Sequence, residues 1–368
     1  MNLNRILNHW TTPVWITSCL CLGLIAYTLV KAEGDIFQFI LIGTRFAEGD
    51  PQGSEGYDGQ FGYYIALDPD PQEVKFHLDR PAYRYQRILL PLLARVLSLG
   101  NRHWIPWWLA ILPFLGQVFG VLFVAKVIEE SGRSPLLALI YGLNAGALLS
   151  IRVALPEPLA YGFVAAALYA YLKRKYWLGA AGFACAFFAK EVTLVFGGAV
   201  LVSLLLRREW KASAVMGVGS FLPSGLWQAW LWRTFGEVGL GSGGEGATGF
   251  ELLPFGGLLR IANYSLLYFL GMLVVFSPLV ILPSIWGFWV SLRQLLSGDW
   301  KVFPIALFLH SLMMFFLPFS TYRETGGILR LSVGFVLAFL LYVATENVPQ
   351  RLVRYLPFWL VYNVFLLR

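Results

Sequence analysis

QRILLPLLARVLSLG, residues 86 to 100, is the stretch on which the topology of this chain turns. It is apolar but only 15 residues long, with Arg87, Pro91 and Arg95 inside it. A helix crossing a hydrocarbon core needs about 17 to 25 residues. The segment is therefore either a short span or a helix lying in the interface, and every downstream loop changes sides with that choice.

Working outward, Pro13 to Val30 is long and apolar enough to cross, and no small-residue cleavage site follows it. It reads as a retained helix rather than a removed signal. Lys31 to Arg84 is the most polar part of the protein and holds ten of its 21 acidic residues. Beyond residue 100, further apolar segments lie at 105–126, 135–152, 157–172, 176–189, 192–206, 212–232, 264–292, 302–318, 328–345 and 353–367. With 86–100 taken as interfacial, the spans number eleven. An inner N-terminus then collects Arg5, Lys126, Arg133, Lys173, Arg174, Lys175, Arg207, Arg208, Lys211, Arg293, Lys301, Arg351 and Arg354 on one side. Only Glu129, Glu130, Glu209, Asp299 and Glu346 oppose them there. Counting 86–100 as a span would place KRK (173–175) and RREWK (207–211) outside, against the preference of Lys and Arg for the cytoplasmic side. The charge rule thus predicts a juxtamembrane helix on the outer face.

Composition agrees with this class. Of 368 residues 58% are apolar and 13% charged, where a soluble domain carries roughly a quarter charged residues. The expected fold is an all-α polytopic membrane protein, one domain over 1–368, with a first outer loop over 31–104 and a Gly-rich outer loop over 233–263. Cys19, Cys21 and Cys185 lie in apolar runs at spacings that suit neither a disulfide framework nor zinc. The formal net charge of +7 is explained by the inner loops, so nucleic acid is not implied as a partner.

The same topology gathers Asp58, Glu157, Lys190-Glu191 and Arg323-Glu324 at the outer surface, and ionisable groups at such depth are costly enough to mark function. The densest constellation is YDGQFGYYIALDPD, residues 57–70, followed by RPAYRYQRILLPLL, residues 80–93. An acid at an Asp-Gly turn opens an aromatic stretch with Tyr57, Gln60 and Tyr64, and Arg80, Arg84 and Arg87 lead into the interfacial helix. Asp-Gly is also an ordinary turn signal, and interfacial arginines also snorkel to headgroups. Lys190 could simply pair with Glu191. Glu157 lies between Pro156 and Pro158, a helix-breaking context, where it could orient an acceptor or pair with an arginine. Asp68-Pro69-Asp70 reads as a turn rather than a metal motif, and His310 as a hydrogen-bonded structural residue. Gly236 to Gly249 has seven glycines in fourteen residues, too flexible to hold one conformation without a partner.

The segments YDGQFGYYIALDP and AYRYQRILLPLLARVL, in that order, resemble the GT-C class of integral-membrane glycosyltransferases, which includes protein O-mannosyltransferases, aminoarabinose transferases and PIG-V-like mannosyltransferases. LPEPLAYGF at 155–163 and FAKEVTLVF at 188–196 sit where similar acidic outer-edge motifs occur in that class. The resemblance covers roughly residues 1 to 210. It implies a GT-C-like bundle with juxtamembrane helices in the first outer loop, and an inverting transfer of sugar from a polyprenyl-phosphate donor to a glycan, lipid or protein acceptor on the outer face, in cell-envelope assembly at a bacterial inner membrane. Asp58 would be the catalytic base. Arg84, Arg87, Lys190 and Arg323 would offset charge on the departing phosphate, with Glu157, Glu191, Glu324, Tyr57, Gln60 and Tyr64 lining the substrate. Many relatives carry two adjacent acids in the first loop, whereas Gly59 follows Asp58 here. That departure favours a single-carboxylate site with no resident cofactor, and leaves dependence on a divalent metal open. Two other classes compete: a transporter or lipid flippase, and a non-catalytic scaffold of glycan assembly. A transporter would show charges near the bilayer centre and paired broken helices.

Overall fold

A computed structural model describes residues 9–367, and they are helical or irregular with no strand. Arg5, counted above with the inner cluster, lies outside the described residues. Among the described residues four helices are long and apolar enough to cross a membrane: α1 (Thr11–Lys31), α5 (Ile105–Glu130), α11 (Leu266–Leu296) and α13 (Thr325–Thr345). A fifth candidate is the bent pair Pro135–Gly142 and Ala145–Arg152 (α6), which turns by 50°. Helices of this composition suit a lipid bilayer. The apolar segments between them are helical too, as α7 (Glu157–Leu172), α8 (Tyr176–Ala189), α9 (Leu194–Leu206), α10 (Trp210–Phe235) and α12 (Val302–Phe315). At 1.5 Å per residue the 14 residues of α8 reach only about 21 Å, short of the roughly 30 Å hydrocarbon core. Length alone therefore assigns fewer crossings than hydropathy does.

Local sequence explains where these helices begin and stop. Asn144 accepts from the backbone N–H groups of Gly146 and Ala147, so it caps α6 and sets the bend inside 135–152. Pro158 falls in the first turn of α7, where its missing N–H would have had no partner anyway. Glu157 precedes it at the positive end of the helix dipole. The far end of α10 is closed by Gly236 at φ +76°, a left-handed position that glycine occupies without penalty.

Residues 86–100 form the short helix α4 (Leu89–Leu97), packed on α5 and on α2 (Gly59–Leu67). Its apolar side is buried at Leu90, Pro91 and Ala94, while Leu92, Val96 and Leu97 are exposed. Arg95 reaches back to the carbonyls of Ala66 and Leu67, which closes the end of α2. α3 (Pro81–Tyr85) lies just ahead of it and packs on α10.

The core centres on α13, whose most apolar 18-residue stretch is 83% buried, against 22% for that of α1. α5, α6, α7 and α12 all pack on α13. The two ends of this bundle differ in character. At one end the start of α1 meets the end of α5, where Glu129 accepts from the Trp10 backbone N–H and Lys126 lies 4.7 Å from the Trp10 ring. Glu130 joins Lys173 and Tyr169 there. Around the end of α13, Glu346 takes Lys301 and Gln294. The opposite end carries the second, denser set of charges.

Candidate functional site

That set is built from six elements. Asp58 is the residue before α2, Arg84 lies on α3, and Arg87 stands just before α4. Glu157 opens α7, and Lys190 and Glu191 form the turn between α8 and α9. Arg330 comes from the first turns of α13. Most of these positions are far apart in sequence, and the fold brings them to one end of the bundle.

Asp58 bridges two guanidinium groups. Arg84 Nη2 lies 3.1 Å from Oδ1 and Arg330 Nη1 lies 3.0 Å from Oδ2. Arg84 is itself held by Asp79 in a bidentate pair, both contacts at 2.7 Å, and stacks 4.0 Å from the centre of the Phe61 ring. Arg87 grips Glu191 in the same forked way, at 2.8 and 2.5 Å, and donates to the Tyr83 hydroxyl at 2.6 Å. Lys190 donates to Glu157 Oε1 at 2.6 Å, with Arg330 3.8 Å from the same oxygen. Glu157 is fully buried, and its Oε2 has no hydrogen-bond partner. Four carboxylates face four cations, so the assembly is neutral and each cation already carries an anion.

Burial works against the Asp58 carboxylate, but the Arg84 and Arg330 guanidiniums outweigh it and hold its pKa well below the usual carboxylate range. Asp79 is lowered in the same sense, burial being overcome by Arg84. Asp58 thus stays ionised at neutral pH. A carboxylate held so firmly is also a weak proton acceptor, since base strength follows pKa.

Asp58 was expected at an exposed turn. It stands instead at the start of α2 with helical backbone angles and no capping bond, because its side chain is engaged by the two arginines. Gly59 explains why no second acid follows it. A Cβ there would stand 2.7 Å from the Val153 carbonyl oxygen and 3.2 Å from that of Ile40, and these backbone atoms have little freedom to retreat. Gly59→Ala should therefore lower stability by about 1–3 kcal/mol, the range for overpacking. Thermal unfolding of the purified variant in detergent checks this; an unchanged midpoint would mean that α2 is free to shift.

Beside the charges runs a narrow cleft of about 40 Å³. Its polar end is Asp58, Arg84 and Arg87, and its apolar wall is Phe61, Ile65, Leu90, Pro91 and Leu155. On this measure one water needs about 10–15 Å³, so the cleft takes a few waters and a sugar ring enters only if these side chains part. A larger apolar recess of about 450 Å³, between Phe250 to Leu252 and Leu309 to Phe316, contains one ionisable group, Glu251. That group is already paired with Arg260.

The remaining residues singled out in the sequence lie elsewhere or serve the scaffold. Arg323 and Glu324 pair with each other at 3.3 Å and are more than half exposed, outside the charge network. Gln60 is buried and ties the loop ahead of α2, accepting from the Gly43 N–H and donating to the Glu55 carbonyl. Tyr64 stacks on His77. Tyr57 does reach the cluster, its ring 5.5 Å from the Arg330 guanidinium. Asp70 caps the helix Pro71–Val74, in keeping with a turn at Asp68-Pro69-Asp70. His310 is hydrogen-bonded to the Ala306 carbonyl. Lys190 does not pair with Glu191: the extended backbone at Lys190 and the 3-10 turn that follows send the two side chains to different partners.

The Gly-rich segment finds its partner within the chain. Gln228 accepts from the Gly239 and Leu240 N–H groups, and Thr248 bonds Ser320. Between those anchors the Glu245 N–H donates to Asp79 at 2.9 Å, and the Glu245 carboxylate pairs with Arg45 at 2.7 Å. The segment passes so near the cluster that a Cβ on Gly244 would lie 2.9 Å from Arg84 Nη2. Arg330, Asp79 and Tyr83 were not singled out in the sequence. Only Arg330 left a signal, as a lone cation within an apolar span.

Among the described residues no group of three or more His, Cys, Asp or Glu side chains is placed to hold a metal ion. No family model, curated protein or solved structure matches this chain.

Proposed function

We propose that the chain is a GT-C-like glycosyltransferase that moves a sugar from a polyprenyl-phosphate donor to an acceptor hydroxyl at the outer face of a bacterial inner membrane. The observation that carries this reading is the cleft, with guanidinium groups at one end and an apolar wall along the other. A lipid-linked phosphate has the same two-part chemistry. Planar guanidiniums suit phosphate oxygens in forked geometry, and α2 and α4 offer a surface for the first isoprene units.

In the reaction the acceptor oxygen attacks the anomeric carbon from the face opposite the phosphate. The bond from that carbon to the phosphate oxygen breaks and its electron pair leaves with the phosphate. The acceptor proton passes to Asp58, and the configuration inverts. Charge growing on the departing phosphate is met by arginine. Confinement of the charge network to one end supports this over transport, which calls for ionisable groups along a path across the bilayer.

The direct test is turnover. Purified protein in nanodiscs, given a panel of polyprenyl-phosphate hexoses and pentoses with envelope lipids and glycans as acceptors, should release polyprenyl phosphate from at least one donor. Absence of release from every member would reject the reading.

The eleven-span topology belongs to the same proposal. It places the Asp58 end outside and the Glu130–Glu346 end inside, and the segregation of the two charge sets supports it. Single cysteines at Gln52 and Arg174, in a background lacking Cys19, Cys21 and Cys185, should react with an impermeant thiol reagent from opposite sides. Labelling of both from one side would make 86–100 a span.

A further inference from the structure

Arg330 has no counterpart among the candidates raised by the sequence, yet it is the residue on which the cluster converges. It projects from the most buried of the four candidate spans, is 14% exposed, and touches Asp58 at 3.0 Å while standing 3.8 Å from Glu157. A buried guanidinium inside an apolar helix is costly unless it is paired. Its partner at Asp58 is 29% exposed and lines the cleft, so the pair sits where a ligand from the cleft would meet it.

The cluster as it stands has no uncommitted cation for a phosphate. Arg87 is fixed to Glu191 in a forked pair and Lys190 is buried against Glu157. Arg84 keeps Asp79 through two bonds whatever happens at Asp58. The weakest links are therefore the single contacts that Asp58 makes to Arg84 and Arg330. An entering phosphate can replace one carboxylate oxygen at each arginine without disturbing the forked pairs.

We infer that Arg330, together with Arg84, is the receptor for the donor phosphate, and that Asp58 occupies this receptor until the donor displaces it into its role as base. The inference rests on the proposed function and adds a binding residue and an order of events. Donor binds first, because only the displaced carboxylate, beside an added negative charge and released from direct guanidinium contacts, becomes a competent proton acceptor. The paired carboxylate also limits premature activation of water when no donor is present.

The exchange makes a counterintuitive binding prediction. Farnesyl phosphate, with farnesol as the uncharged control, would be titrated into the purified full-length protein in detergent. Asp58→Asn and Asp58→Ser should both bind farnesyl phosphate about tenfold more tightly than wild type, since no carboxylate competes for the arginines, while farnesol binding stays the same. In an Arg330→Gln background the gain from Asp58→Asn should shrink below about threefold, because one of the two shared partners, the one hydrogen-bonded to Asp58, is gone. A gain of equal size in both backgrounds would reduce the effect to long-range charge and overturn the exchange. Equal or weaker binding by both Asp58 variants, with wild type still preferring farnesyl phosphate to farnesol, would overturn the exchange and leave the lipid-phosphate reading standing. No preference for farnesyl phosphate in any of these proteins would overturn both.

Discussion

Asp58→Asn is expected to slow sugar transfer at least about a hundredfold, within the 10²- to 10⁴-fold range that a positioned general base contributes. The substitution keeps the size of the side chain and one hydrogen-bond acceptor, and it removes the proton acceptor. The fold should survive, because Arg84 retains its forked pair with Asp79 and Arg330 retains Glu157 nearby. The kinetic pattern is as informative as the magnitude. If Asp58 competes with the donor for arginine, kcat and KM should fall together, the signature of a group that opposes ground-state binding and acts in the transition state. Steady-state rates at varied donor concentration check this. Transfer by Asp58→Asn at close to the wild-type rate would remove Asp58 from the chemistry and move attention to Glu157.

The largest expected effect on stability lies at the buried pair of Lys190 and Glu157. Lys190→Met strips the 2.6 Å partner from a carboxylate with no solvent exposure and leaves only Arg330 at 3.8 Å. Breaking a buried pair by removing one member costs about 3–5 kcal/mol, largely the penalty of the stranded charge. The variant should show a markedly lower unfolding midpoint in detergent. Lys190→Met combined with Glu157→Gln should recover most of the loss, because the uncompensated charge goes with the glutamate. A single Lys190→Met variant as stable as wild type would mean that Arg330 alone carries Glu157.

The sequence supplied most of the charged residues of the site but few of their partnerships. Asp58, Arg84, Arg87, Glu157, Lys190 and Glu191 stood out because ionisable groups beside apolar runs are few and conspicuous. Who pairs with whom was not legible. Lys190 and Glu191 are adjacent in the chain, yet one turns to α7 and the other to Arg87, 104 positions away. Adjacency in sequence says little where the backbone changes from extended to helical between two residues.

Arg330 escaped notice because GGILRLSVGF reads as the start of a span, where one arginine passes as a snorkelling end residue. Its pairing with Asp58 joins positions 272 apart, a separation that hydropathy does not encode. The Gly-rich segment shows the same limit. Its composition signals flexibility, whereas its anchors at Asp79, Gln228, Ser320 and Arg45 are supplied by other parts of the chain. The helices themselves were far more legible, since apolar periodicity and helix-end signals are local. Within residues 86–100 the helix covers nine residues, Leu89–Leu97, and the labelling experiment decides on which side of the membrane the chain continues.

The central claim, that a lipid-linked phosphate is received where Asp58 now sits, is tested most directly by an experimental map of the protein with polyprenyl phosphate bound in nanodiscs. The account predicts phosphate oxygens about 2.7–2.9 Å from the guanidinium nitrogens of Arg84 and Arg330, Asp58 turned away from both, and the first isoprene units along Phe61, Ile65, Leu90 and Pro91. A lipid phosphate seated elsewhere, with the contacts of Asp58 to Arg84 and Arg330 intact, would contradict it.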